Sequence, residues 1–234
     1  MGSKQNLLAL ATYNIHRCIG NDDRFDPDRI IKVIKQLDAD IIVLQEVENS
    51  RMCCGTNLLD HLGEQSRMKI IPGLTMFREE SSYGNVLLTR RTIENIEHID
   101  ISVKNREPRG AICIRLKINN KKVQIIATHL GLLRSERIIQ VQKLLKALKK
   151  NPADISVLMG DLNEWYKRSQ PLWLLRKYFV YMSSPATFPA RIPIFALDRI
   201  LIQPGSYLKS IATLKNSLTK ISSDHLPLRA SLFF

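Results

Sequence analysis

The chain has 234 residues, enough for one large domain or two small ones, and 44% of them are hydrophobic, which excludes global disorder. The formal net charge is +13, and it is uneven: residues 1–117 carry 17 Lys/Arg against 16 Asp/Glu, whereas residues 118–234 carry 18 against 6. That excess points to an anionic partner, whether nucleic acid, phosphorylated metabolite or acidic membrane surface, or else to a plain solubilising surface.

Leu7–Tyr13 reads as a buried strand ending at Asn14 and His16, and a polar loop follows. Pro27–Leu37 is a helix with Pro in its first turn and Ile30, Ile31, Val33, Ile34 and Leu37 on one face. Ile41–Leu44 is a second buried strand that delivers Gln45 and Glu46 at its end. Residues 57–65 form a short helix. Asn85–Thr89 and Ile93–Val103 are strands, and Ala111–Ile118 with Lys122–Thr128 form a hairpin that ends at His129. Ser135 is the expected N-cap of a helix reaching Lys150, with Ile138, Val141, Leu144, Leu145 and Leu148 inward. Ile155–Met159 is a strand, residues 165–179 a helix broken near Pro171, and residues 183–193 a Pro-containing loop. Arg199–Ile202, Leu208–Leu214 and Leu226–Phe233 complete the strands. Hairpin-like stretches argue against a purely parallel sheet.

Cys18, Cys53, Cys54 and Cys113 include no CxxC pair, so neither a zinc site nor a disulfide framework is indicated. A reducing compartment fits best. Leu7–Ala11 is too short for a signal-peptide core, and no apolar run reaches the roughly 18 residues of a membrane span. A cytoplasmic, monomeric protein is the expectation.

Several strands end in a polar or ionisable residue: Asn14, Glu46, His129, Asp161 with Asn163, Asp198, and Asp224-His225. Singly, each has a bland reading as a strand-end cap, an ion-pair partner or a turn. The Gly160-Asp161-Leu162-Asn163 stretch places a carboxylate and an amide together at the end of a buried strand, which suits a hard cation or a phosphate. No Gly-x-Ser-x-Gly elbow and no His-Glu-x-x-His pair is present, so serine-hydrolase and zinc-peptidase readings fail.

Taken in order, Thr-Tyr-Asn14-Ile-His, Val-Leu-Gln-Glu46-Val, Ala-Thr-His129-Leu, Met-Gly-Asp161-Leu-Asn163, Leu-Asp198-Arg-Ile and Ser-Asp224-His225-Leu-Pro resemble the endonuclease/exonuclease/phosphatase superfamily, deoxyribonuclease I-like. The match runs from Asn14 to Pro227 and looks most like small bacterial members of unassigned substrate. The resemblance implies a four-layer αββα sandwich over residues 1–234, with two packed mixed sheets flanked by helices. It also implies roles. Glu46 and Asp224 would hold Mg²⁺, with Mn²⁺ as the alternative, and Asn14 beside it. Asp161 and Asn163 would contact the scissile phosphate and the attacking water. His129 would donate to a phosphate oxygen. His225, oriented by Asp198, would be the general base or a phosphate binder, and whether it or Asp161 deprotonates the water stays open.

Arg17, Arg106, Arg109, Arg134 and Arg191 lie near these segments and could grip phosphate. The implied activity is a phosphodiesterase, with nucleic acid favoured. A phospholipid or phosphoinositide phosphodiesterase and an inositol-phosphate phosphatase are the alternatives. From another class comes a non-catalytic phosphate-binding module. Trp165, Tyr166 and Trp173 could stack on bases, but are expected to pack as a helix face. Phe188, Ile192, Ile194 and Phe195 are either a membrane-facing loop or, preferably, a loop buried over the core.

Overall fold

The computed structural model describes residues 6–49, 52–53, 55–78, 81–179 and 184–234. The chain runs β1 (Leu7–Asn14), α1 (Pro27–Leu37), β2 (Ile41–Glu48), the two-residue strands β3 (Met52–Cys53) and β4 (Thr56–Asn57), α2 (Leu58–Ser66), β5 (Lys69–Arg78), β6 (Ser81–Thr89) and β7 (Asn95–Asp100). It continues with β8 (Gly110–Ile118), β9 (Lys121–His129), α3 (Arg134–Lys150), β10 (Ile155–Asp161), α4 (Gln170–Arg176), β11 (Asp198–Gln203), β12 (Leu208–Thr213), α5 (Ser217–Ser222) and β13 (Leu228–Phe233).

Six strands form one sheet in the order β12-β13-β1-β2-β6-β5, and five form another in the order β11-β10-β9-β8-β7. Both are mixed: β1 pairs β2 in parallel and β9 pairs β10 in parallel, while their other neighbours are antiparallel. The period-two alternation of strands then sorts the apolar residues. On β1, Leu8 and Leu10 face the second sheet, where they meet Ile112, Ile125 and Val157. Ala9, Ala11 and Tyr13 face the other way, onto Ile30, Ile34 and Leu37 of α1. On β10, Val157 and Met159 enter the core between the sheets, while Leu158 meets Val141 and Leu144 of α3. The result is helices, sheet, sheet, helices. Among the described residues no helix is long and apolar enough to cross a membrane.

Several boundaries differ from expectation. β5 was not expected at all, because Pro72 and Gly73 interrupt its pattern; it is an edge strand, where a missing donor is tolerated. β7 is shorter than the 93–103 run, and its edge position leaves Ile96 exposed. Ser135 does not cap α3: the N-cap is Leu133, with no side-chain cap bond. Pro171 does not break a helix over 165–179; it opens α4, whose N-cap Ser169 accepts from the Leu172 amide. Residues 165–169 are therefore loop, and Trp165 and Tyr166 do not form a helix face. Residue 183 and Cys54 lie outside the described residues; Cys18 and Cys113 are buried.

Candidate active site

Strand register delivers the polar ends to one place. Parallel pairing sets Asn14 beside Gln45, and Asp161 beside His129. Antiparallel pairing sets Asp161 beside Asp198. The Asn14 Nδ2 donates to Glu46 Oε1 at 3.0 Å and to Asp161 Oδ2 at 3.1 Å, joining the ends of the two sheets. The His225 Nδ1 lies 2.8 Å from Asp198 Oδ2.

The backbone is strained where these groups meet. Glu46 (φ 56°), Asn163 (φ 51°) and the run His16, Arg17, Cys18 (φ 46°, 54°, 59°) are left-handed. Only Asn takes this conformation readily; for the others it costs about 1–3 kcal/mol each. Gly160 (φ 140°) permits a close approach, since a Cβ there would run into the Thr128 carbonyl. Asp161 then closes an Asx turn, its Oδ1 accepting from the Asn163 amide at 2.8 Å.

Asp161 Oδ2 lies between two imidazoles, 3.5 Å from His129 Nε2 and 3.8 Å from His225 Nε2. The two rings are nevertheless in opposite charge states. Burial disfavours the imidazolium of His225, but Asp198, by charge and hydrogen bond, together with Asp161 and Asp224, raises its pKa to about 10. His129 is fully buried, and that burial lowers its pKa to about 3; Asp161 opposes the shift, while Arg109 and His225 add to it. Arg109 Nη1 sits 3.0 Å from His129 Nδ1. A guanidinium only donates, so Nδ1 carries the lone pair and the ring proton is on Nε2. Asn163 Nδ2, held by the Leu130 carbonyl at 2.8 Å, lies 3.0 Å from that same Nε2. N–H groups therefore outnumber acceptors around His129, and among the described residues the buried Arg109 Nε has no hydrogen-bond partner. A phosphate oxygen would satisfy such a surplus.

The polar layer beneath this site had no signal strong enough to find in the sequence. Arg137 and Glu164 form a buried ion pair at 3.2 Å, and Arg137 Nη1 also donates to the Gly131 and Leu132 carbonyls. The Gly131 amide donates to Gln140 Oε1 at 2.8 Å. These bonds tie the loop after His129 to the loop after Asp161. Residues 136, 137 and 140 share the α3 face that carries Val141 and Leu144, so the buried face of the helix turns polar at its N-terminal end.

Of the five arginines, only Arg109 is buried at the site. Arg17 is exposed and lies over the Tyr83 ring, 5.5 Å from its centroid. Arg191 is exposed and donates to the Asn21 carbonyl at 2.9 Å. Arg134 and Arg106 are exposed. A cleft of about 520 Å³ lies at the start of β1, the end opposite Asn14, and its Arg91 is paired with Asp40 at 2.9 Å.

Among the described residues, Asp161, Asp198 and His225 offer ligand atoms within 4.8 Å of one another. His225 Nδ1 is committed to Asp198, so this trio is better described as a charge-coupled acid–base group. Glu46 and Asp161, both bonded to the Asn14 amide, offer carboxylate oxygens of the kind a hard divalent cation takes. Among the described residues Asp198 Oδ1 has no hydrogen-bond partner, leaving one more buried acceptor in this acidic cluster.

Two packed mixed sheets carrying Asn, Glu, Asp and His at their shared rim define the class of two-sheet phosphoesterases. The chain belongs to the endonuclease/exonuclease/phosphatase family, whose profile matches residues 11–225. Members of that family are hydrolases acting on phosphate ester bonds, and they generally use a divalent metal. The uncharacterised protein YbhP of Escherichia coli K12 is 28% identical over an alignment of 248 positions that covers 98% of each chain. A family member from Bacteroides vulgatus superposes with a TM-score of 0.78 at 19% identity, covering 97% of this chain and 98% of its own. TDP2 of D. rerio, crystallised with a single-strand DNA product, superposes with a TM-score of 0.72 at 16% identity over 97% of this chain and 99% of its own.

Proposed function

We propose that residues 1–234 act as one domain, a Mg²⁺-dependent phosphodiesterase that attacks phosphorus with water. The observation that supports this most is Asp161 Oδ2, placed between a neutral His129, a cationic His225 and the Asn14 amide. Glu46, Asp224 and Asn14 would hold the ion, and Mn²⁺ could replace it. When bound, the metal would neutralise a non-bridging oxygen and stabilise the leaving oxygen. His129 Nε2–H and Asn163 Nδ2–H hold the phosphate oxygens. His225, kept as an imidazolium by Asp198, faces the charge that develops on the phosphoryl group. That leaves the Asp161 carboxylate to take the proton of the attacking water. Arg109 acts through His129.

The basic second half suits an anionic substrate. Nucleic acid is one reading, supported by that charge and by the DNA product bound to the D. rerio neighbour. A phospholipid headgroup is the second, favoured by two exposed isoleucines on the loop beside His225. The test is a panel of plasmid, single-stranded RNA, abasic duplex, phospholipid vesicles and inositol phosphates, each run with Mg²⁺, with EDTA and with Asp161→Ala. One class cleaved only by wild type with Mg²⁺ is the expected outcome. Tight binding that persists in EDTA without product from any substrate would instead make the chain a phosphate-binding module.

A further inference from the structure

β9 and β10 run parallel and β11 runs antiparallel to them, so three loops leave the second sheet at the end that carries the candidate site. These are residues 130–133, 162–169 and 184–197. Each carries exposed apolar side chains at its tip: Leu132 (68% exposed) and Leu133 (44%), Trp165 (40%) and Tyr166 (76%), Ile192 (75%) and Ile194 (65%). Half of the exposed large hydrophobic residues described in the chain are thus gathered around one opening. The loops touch. Arg137 bonds the Leu132 carbonyl and Glu164, linking the first to the second. The Trp165 ring packs edge-on against Phe188 and Phe195, with centroids 5.5 and 4.9 Å away, linking the second to the third.

The third loop is a small hairpin. Phe188 and Phe195 exchange backbone hydrogen bonds of 3.0 and 2.8 Å, and Phe188 rests on the His225 ring at 4.9 Å. The loop expected to lie buried over the core instead anchors through its two phenylalanines and holds Ile192 and Ile194 out in water.

The charges on these loops are one-sided. Lys167, Arg168 and Arg191 on the loops and Arg134 at the start of α3 are exposed, while Glu164 on the second loop, Glu136 in the first turn of α3 and Asp198 at the start of β11 are buried. Branched aliphatic tips give a polynucleotide nothing to stack on or bond to. A bilayer offers hydrocarbon to the leucines and isoleucines, an interface to Trp165 and Tyr166, and anionic headgroups to the four cations. We propose that this collar docks the protein on an anionic phospholipid bilayer, with the opening of the site turned to the headgroups. The docking stands by itself. Its consequence, that the hydrolysed phosphate belongs to a lipid, rests on the phosphodiesterase reading.

The test is co-sedimentation of the full chain in EDTA with vesicles of phosphatidylglycerol and phosphatidylcholine, against vesicles of phosphatidylcholine alone. Ile192→Ser/Ile194→Ser and Lys167→Gln/Arg168→Gln are compared with wild type. Both variants should retain the wild-type melting temperature and should hydrolyse the soluble diester bis(p-nitrophenyl) phosphate at the wild-type rate. Wild type should partition to the anionic vesicles only. The isoleucine variant should bind at least about tenfold more weakly, and the loss per cation removed should be about fivefold. Equal partitioning of wild type and the isoleucine variant would overturn the proposal. So would a loss that appears on a single-stranded oligonucleotide and not on vesicles. Vesicle binding without turnover of any phosphodiester would refute the enzymatic reading and leave the docking standing; turnover of the soluble diester without vesicle binding would do the reverse.

Discussion

Replacing Asp198 with Asn keeps the shape beneath His225 and removes the charge. Asp198 Oδ2 is 2.8 Å from His225 Nδ1, and both side chains are buried. Burial works against the imidazolium, yet Asp198, with Asp161 and Asp224 behind it, lifts the His225 pKa from 6.5 to about 10. Because the folded pKa lies above the unfolded one, this ring stabilises the native state fully below pH 6.5, and the contribution is lost as the pH rises through 10. At about 1.36 kcal/mol per pKa unit, it amounts to about 4 kcal/mol at pH 7 and about 1 kcal/mol at pH 9. Metal-free wild type should therefore lose about 3 kcal/mol of urea stability between those pH values from this group alone. Asp198→Asn should lose well under about 1 kcal/mol, and its His225 should titrate at least about 2 pH units lower by ¹⁵N NMR. Turnover should fall about 10²–10⁴-fold. A His225 midpoint within about half a unit of wild type, or parallel stability–pH curves, would refute the coupling.

Three further substitutions probe the surroundings. Arg109→Met removes the donor to His129 Nδ1, so NMR should show the Nδ1–H tautomer appearing and kcat should fall about 10–100-fold, while Arg109→Lys keeps the Nε2–H form. An unchanged Nε2–H ring in Arg109→Met would show that Arg109 does not fix the tautomer. Arg137→Leu leaves Glu164 as an unpaired buried carboxylate and should cost about 3–5 kcal/mol in a chemical melt; a loss below about 1 kcal/mol would mean that the pair is not buried in solution. Gly160→Ala drives a methyl against the Thr128 carbonyl in a left-handed backbone, and should destabilise by more than about 2 kcal/mol and abolish turnover. Wild-type stability would show that β9 and β10 can separate there.

The layers of the fold were legible because their signals are local. The apolar runs of β1, β2 and β10 and the single apolar face of α1 each carry enough periodicity to be read one at a time. β5 was hidden because Pro72 and Gly73 are tolerated only at an edge, and edge position is a property of the whole sheet. α5 was hidden by its length, although its capping box, Asn216 with Thr219, is a local signal that could have found it. The site residues Asn14, Glu46, His129, Asp161, Asn163, Asp198 and His225 were legible as strand ends in a familiar order. What lay beyond the sequence was their pairing. Nothing in the residue string says that Arg109, rather than a carboxylate, meets His129 Nδ1, yet that contact adds to the burial that keeps His129 neutral while His225 is charged. Likewise, the hairpin closed by Phe188 and Phe195 decides that Ile192 and Ile194 face water, and a Pro-containing loop does not disclose its own base.

The most direct test of the central claim is turnover of bis(p-nitrophenyl) phosphate by wild type and Asp161→Asn, in Mg²⁺ and in EDTA. Wild type with Mg²⁺ should release nitrophenol steadily, EDTA should stop it, and Asp161→Asn should be slower by at least about 10³-fold with its fold intact. Turnover that survives EDTA, or that survives in Asp161→Asn, would contradict the account of Asp161 as the centre of a metal-dependent phosphodiesterase.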